Sequence, residues 1–68
     1  MFIKLTTVSD QPLLLDVERI VSVCEYKNRT EIEYAKPKEE GFEIECWCVQ
    51  ESAAEILELI DEKQGANV

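Results

Sequence analysis

Before Gln50 the chain alternates apolar and polar residues with a period of two, and after Ser52 the period lengthens to that of a helix. Phe2-Ile3-Lys4-Leu5-Thr6-Thr7 puts Ile3, Leu5 and Thr7 on one side of a first strand and Phe2, Lys4 and Thr6 on the other. The turn residues Ser9-Asp10-Gln11-Pro12 follow, and Leu13-Leu14-Leu15, bounded by Asp16, completes a hairpin. Asp16-Val17-Glu18-Arg19 does not alternate and begins with a capping residue, which predicts a single helical turn. Alternation resumes from Ile20 to Tyr26. After the polar Lys27-Asn28-Arg29 it returns at Thr30-Glu31-Ile32-Glu33-Tyr34, where Thr30, Ile32 and Tyr34 share one side and two glutamates wet the other. Residues 35–41 (AKPKEEG) read as a long polar loop. Phe42 to Val49 then forms a fifth strand whose most continuous apolar series, Phe42, Ile44, Cys46 and Cys48, is assigned to the core, with Cys24 joining from strand three.

Ser52-Ala53-Ala54-Glu55 fits a capping box, in which Ser52 accepts from the amide of Glu55 and the Glu55 side chain reaches back to the cap. Ala53, Ile56, Leu57 and Ile60 then follow the spacing of a core-facing stripe, while Glu55, Glu58, Asp61 and Glu62 face water and Lys63 and Gly65 suit a C-terminus. The expected fold is α+β: an antiparallel sheet of about five strands, or a small partly open barrel, with one C-terminal amphipathic helix. A single domain spans 1–63, and 64–68 reads as a loose tail.

Length limits what such a fold can bury. A chain of 68 residues removes only about 60% of its unfolded surface from water, so self-association is a natural supplement to the core. Seven bases against fifteen acids give a net charge of −8, and the excess is uneven. Residues 1–38 hold six of each sign, whereas residues 39–68 hold nine acids and only Lys63. An acidic chain with no basic stripe is a poor ligand for phosphates, which argues against direct nucleic-acid binding and, if nucleic acid matters at all, for mimicry of it. No apolar run approaches the roughly 20 residues that span a bilayer, and Met1-Phe2-Ile3-Lys4 opens directly on strand pattern. No membrane insertion, no signal peptide and a cytoplasmic, reducing setting for the three thiols are therefore expected.

Candidate chemistry is sparse. Cys46-x-Cys48 places both thiols on one strand face, and a tetrahedral zinc site would need Cys24 and a carboxylate as well, without a CxxC knuckle. Buried structural thiols are the better reading, and no metal or cofactor is expected. No histidine is present to activate a cysteine nucleophile, and the pairs Glu31/Glu33, Glu39/Glu40 and Glu43/Glu45 sit in like environments rather than the unlike ones acid–base catalysis needs. An enzyme is not expected. Trp47, placed by alternation with Glu43, Glu45 and Val49 on the face opposite the core, is either a contact hot spot or a cover for the second side of the sheet with Phe2 or Tyr34.

The series Ile3-Lys4-Leu5-Thr6, Leu13–Leu15, Ile20, Val23, Thr30-x-Ile32, Val49-x-Glu51-Ser52 and Ile56 with Ile60 resembles the small flagellar FlbD/SwrD family over most of the chain. The resemblance implies a short β-rich cytoplasmic protein with a Val-x-Glu-Ser helix start, associated with bacterial flagellar motility and without assigned enzymatic activity. The chain departs from that pattern at Ser9-Asp10-Gln11, where the family has an Asn-Gly-like turn, and at 35–41, where it has a tight Gly turn. The expected function is a non-catalytic protein–protein interaction module that forms homo-oligomers through a sheet edge or the Trp47 face. The alternative is an acidic phage or mobile-element inhibitor whose carboxylates imitate DNA in a host protein's basic groove.

Overall fold

The computed structural model describes residues 1–65 and places five strands, one 3-10 turn and one helix along the chain. Strand β1 (Phe2–Thr6) pairs antiparallel with β2 (Pro12–Asp16), Ile3 opposite Leu15 and Leu5 opposite Leu13. The turn between them holds Asp10 at φ 66, a left-handed conformation that Asp tolerates better than most residues, and the Thr7 amide donates to the Gln11 carbonyl at 2.8 Å. The 3-10 turn Val17–Arg19 follows, capped by Asp16, whose carboxylate accepts from the Glu18 amide at 3.1 Å.

A second antiparallel sheet then forms in the order β3 (Ile20–Glu25), β4 (Thr30–Pro37), β5 (Phe42–Val49). The fold is thus α+β and antiparallel, but its five strands divide into sheets of two and three rather than one sheet, and no barrel closes. The backbones of the two sheets join at one place. Thr7 bridges Val49, the Gln50 amide donates to the Thr6 carbonyl at 2.8 Å, and the Val8 amide donates to the Cys48 carbonyl at 3.1 Å. Helix α1 (Ala53–Gly65) leaves the end of β5 and packs on β1 and β3. It continues through Gln64, where the sequence reading begins a tail. Of that tail, residues 66–68 lie outside the described residues.

Ile3, Leu5, Leu15, Ile32, Val49 and Ile56 are fully buried, one or more from each of β1, β2, β4, β5 and α1. Each such side chain withdrawn from water contributes about 1.5–3 kcal/mol. Leu13, Val17, Ile20, Val23, Tyr34, Trp47, Leu59 and Ile60 pack around them, half-buried.

The structure corrects four sequence expectations. The loop between β4 and β5 is not 35–41 but the four residues 38–41, closed by the Lys38 amide donating to the Gly41 carbonyl at 3.1 Å with Gly41 at φ 82. Pairing Pro37 with Phe42 then sets Ile32 opposite Trp47 and Thr30 opposite Val49. Directly opposed residues share a sheet face, so β5 turns Trp47 and Val49 inward and Phe42, Ile44, Cys46 and Cys48 outward, the reverse of the expected register. Cys24 is likewise exposed on β3. On the helix, Leu57 is 59% exposed, and Leu59 takes its place beside Ile56 and Ile60, so the buried stripe is rotated from the one expected.

Candidate functional site

Among the described residues no other element covers the outward face of the three-stranded sheet, since α1 and the β1–β2 hairpin lie on the inward side with the core. Register fixes what it carries. Cys24, Glu31 and Cys48 form one row across the three strands, and Ser22, Glu33 and Cys46 form the next. Beyond β3 the rows continue as Ala35 opposite Ile44 and Pro37 opposite Phe42. One end of the face therefore holds thiols around a glutamate column, and the other end is apolar.

The glutamate column is held by neighbours. Arg29 donates to the Glu31 carboxylate through Nη2 at 2.7 Å and Nε at 3.0 Å, a bidentate donor pattern onto one oxygen, and its guanidinium lies 5.2 Å from the Tyr26 ring centroid. The hydrogen bonds it donates to Glu31, with the Glu31 charge, hold Arg29 still more firmly protonated than an ordinary arginine. Ser22 donates to Glu33 at 2.6 Å. The Cys46 thiol donates to the other Glu31 oxygen at 3.6 Å. Partial desolvation, followed by that hydrogen bond and the Glu31 charge, pushes the Cys46 thiol up from its ordinary range. A carboxylate beside a thiol disfavours the thiolate, so Cys46 is a poor nucleophile despite its exposure. All three cysteines are free, and among the described residues no group of three or more His, Cys, Asp or Glu side chains is arranged to hold a metal ion.

Of the residues expected at a contact surface, Val49 is 0% exposed and belongs to the core, and Trp47 packs against that core. The Trp47 indole N–H is buried without an acceptor. Glu43 and Glu45 share the inward-facing frame, but they lie where β4 and β5 overhang the core. There Lys38 pairs with Glu43 at 2.9 Å and Lys36 with Glu45 at 3.5 Å. The residues left at the surface are the ones expected inside: Phe42 is 64% exposed and Ile44 47%. Sequence reasoning missed them because it balanced hydrophobicity over the whole strand. The signal that finds them is the four-residue turn, which fixes the pairing sum and ties Trp47 to Ile32.

At the helix start the reciprocal cap is formed. The Glu55 amide donates to Ser52 Oγ at 3.1 Å, and the Ser52 amide donates to Glu55 Oε1 at 3.0 Å. Glu25 at the end of β3 adds a third contact, accepting from the Ala53 amide at 2.8 Å. On the opposite side of the helix Glu51, Glu55, Glu58 and Glu62 line a shallow cleft of about 290 Å³ with Leu59 and the single base Lys4. No helix among the described residues is long and apolar enough to cross a membrane.

No family model, curated protein or solved structure significantly matches the chain. Its likeness to the flagellar family thus rests on the residues quoted above alone.

Proposed function

We propose that this protein is a non-catalytic interaction module that associates with itself and presents the outward face of its three-stranded sheet. The observation that carries the reading is the uncovered end of that face, where Phe42 and Ile44 stand exposed beside Ala35 and Pro37 on an eight-residue strand. Large apolar side chains grouped on one uncovered face mark a contact surface, whereas scattered ones need no explanation. The chemistry beside them favours binding over reaction, because desolvation and the Glu31 carboxylate both disfavour ionisation of the Cys46 thiol. A flagellum-associated role follows from the residue-level resemblance and is part of the proposal. Sedimentation equilibrium at tens of micromolar tests the self-association. A mass of two chains or more supports it, and a monomer at every concentration overturns it.

A second reading draws on the helix. Glu51, Glu55, Glu58 and Glu62 gather on one side with Lys4 as the only base in the cleft. Such a carboxylate row suits a basic groove on another protein, as an inhibitor imitating nucleic-acid phosphates would. Its mark is a partner released at high salt, whereas an apolar contact holds.

A further inference from the structure

We infer that the free edge of β5, centred on Ile44, pairs antiparallel with the same edge of a second copy of this chain, joining the two three-stranded sheets into one. This rests on the self-association reading and names its surface.

A sheet edge offers unpaired N–H and C=O groups to any extended chain, and folded proteins usually blunt such edges with proline, bulges, short strands or charge. Three of the four edges here are blunted. The β1 edge is five residues long, and at its end Thr6 already donates its amide to the Glu51 carboxylate and accepts from the Gln50 amide. On β3 a bulge between Ile20 and Ser22 breaks the register. The β2 edge is five residues long, opens with Pro12 and gives way to the 3-10 turn at Val17. The β5 edge has no proline, bulge or early stop, and charge is its only guard. It runs eight residues in unbroken register with β4, without proline or glycine, and its only backbone contacts to β1 lie at its far end, at Cys48, Val49 and Gln50. Among the described residues nothing pairs with the outer edge of Phe42–Cys46.

Ion pairing removes that protection. Glu43 and Glu45 would repel a second copy, but Lys38 and Lys36 hold them in ion pairs at 2.9 and 3.5 Å, so each of these two carboxylates carries its own counter-charge. A two-fold axis at Ile44 then sets Ile44 against its own copy and Phe42 against the second copy's Cys46 on the outward face. It sets Glu43 opposite the second copy's Glu45, each beside its own lysine. The half-exposed apolar pair becomes a cross-strand cluster, and the amides of this segment that point away from β4 gain acceptors.

Sedimentation equilibrium of the full chain and three variants, with circular dichroism to check folding, tests the edge. Ile44→Lys should weaken association by about tenfold or more, because two ammonium groups then face each other across the axis. Lys36→Glu with Lys38→Glu leaves every apolar residue in place, restores the repulsion and should weaken it as well. Leu14→Lys, at an exposed site on β2, should leave it unchanged. If the wild type associates and all three variants associate equally, the edge is wrong while self-association through another surface stands. A monomeric wild type ends both. If Ile44→Lys fails to fold, the lysine variant decides.

Discussion

Val49 and Ile44 lie on the same strand, yet one is 0% and the other 47% exposed, and the difference sets what each contributes. Val49→Ala opens a cavity among Ile3, Leu5, Ile32 and Ile56 and should cost about 2 kcal/mol in chemical denaturation. Ile44→Ala, measured at concentrations where the chain is monomeric, should cost under about 0.5 kcal/mol. The opposite order would restore the register in which Phe42, Ile44 and Cys46 form the core. Trp47 offers a subtler check. Its buried indole N–H lacks an acceptor, a penalty of about 1–3 kcal/mol that Trp47→Phe removes while losing some contact area. The two effects oppose each other, so the denaturation midpoint should move little. At Cys46 the Glu31 carboxylate acts on the thiol through one hydrogen bond and through its charge, both added to desolvation. Glu31→Gln should speed alkylation of Cys46 by iodoacetamide at neutral pH and move its rate–pH profile to lower pH. An unchanged profile would mean that desolvation alone raises this thiol.

Among the elements, those with one wet face and a clear boundary were legible in the residues. Ile3 and Leu5 of β1, Ile32 and Tyr34 of β4 and the Ser52–Glu55 box each follow from local pattern, because a side chain's burial there depends on its own strand or turn. What local pattern does not hold is how far a strand extends past the core. β5 is eight residues long, but only Trp47 and Val49 pack with the core, while in the same frame Glu45 is half-buried and Glu43 exposed, each with a lysine partner. Averaging over the strand weighs the overhang equally with the buried half, and so inverts the face. The helix erred by less. Leu57 and Leu59 are equally apolar, and only the approach of α1 to β1 and β3 selects Leu59. That approach is fixed by caps from two sources. Ser52→Ala should cost about 1 kcal/mol through the local cap, and Glu25→Ala a comparable amount, about 1 kcal/mol, through the Ala53 amide. If Glu25→Ala leaves the helix stability unchanged, β3 does not help to set where α1 begins.

At the scale of the molecule, charge and apolar surface separate. At the hairpin end of the three-stranded sheet Glu43 and Glu45 are paired with Lys38 and Lys36, leaving Glu39 and Glu40 in the turn, whereas Glu51, Glu55, Glu58 and Glu62 gather along the helix with Lys4. Two copies of net charge −8 repel at long range even where the carboxylates facing each other across the contact are paired with lysines. Raising salt from low to moderate concentration screens that repulsion over a Debye length of about 10 Å and should tighten self-association. Partner binding by the helix acids responds in the opposite sense, so a single salt series separates the two readings. The edge of β5 is where the account is most exposed, and hydrogen exchange of the Phe42–Cys46 amides, followed over a dilution series, reports on it directly. The account predicts that the amides in this segment pointing away from β4 are protected at high protein concentration and exchange freely on dilution, while those bonded to β4 stay protected throughout. Concentration-independent exchange across the segment, in a sample that sediments as a dimer, would contradict it.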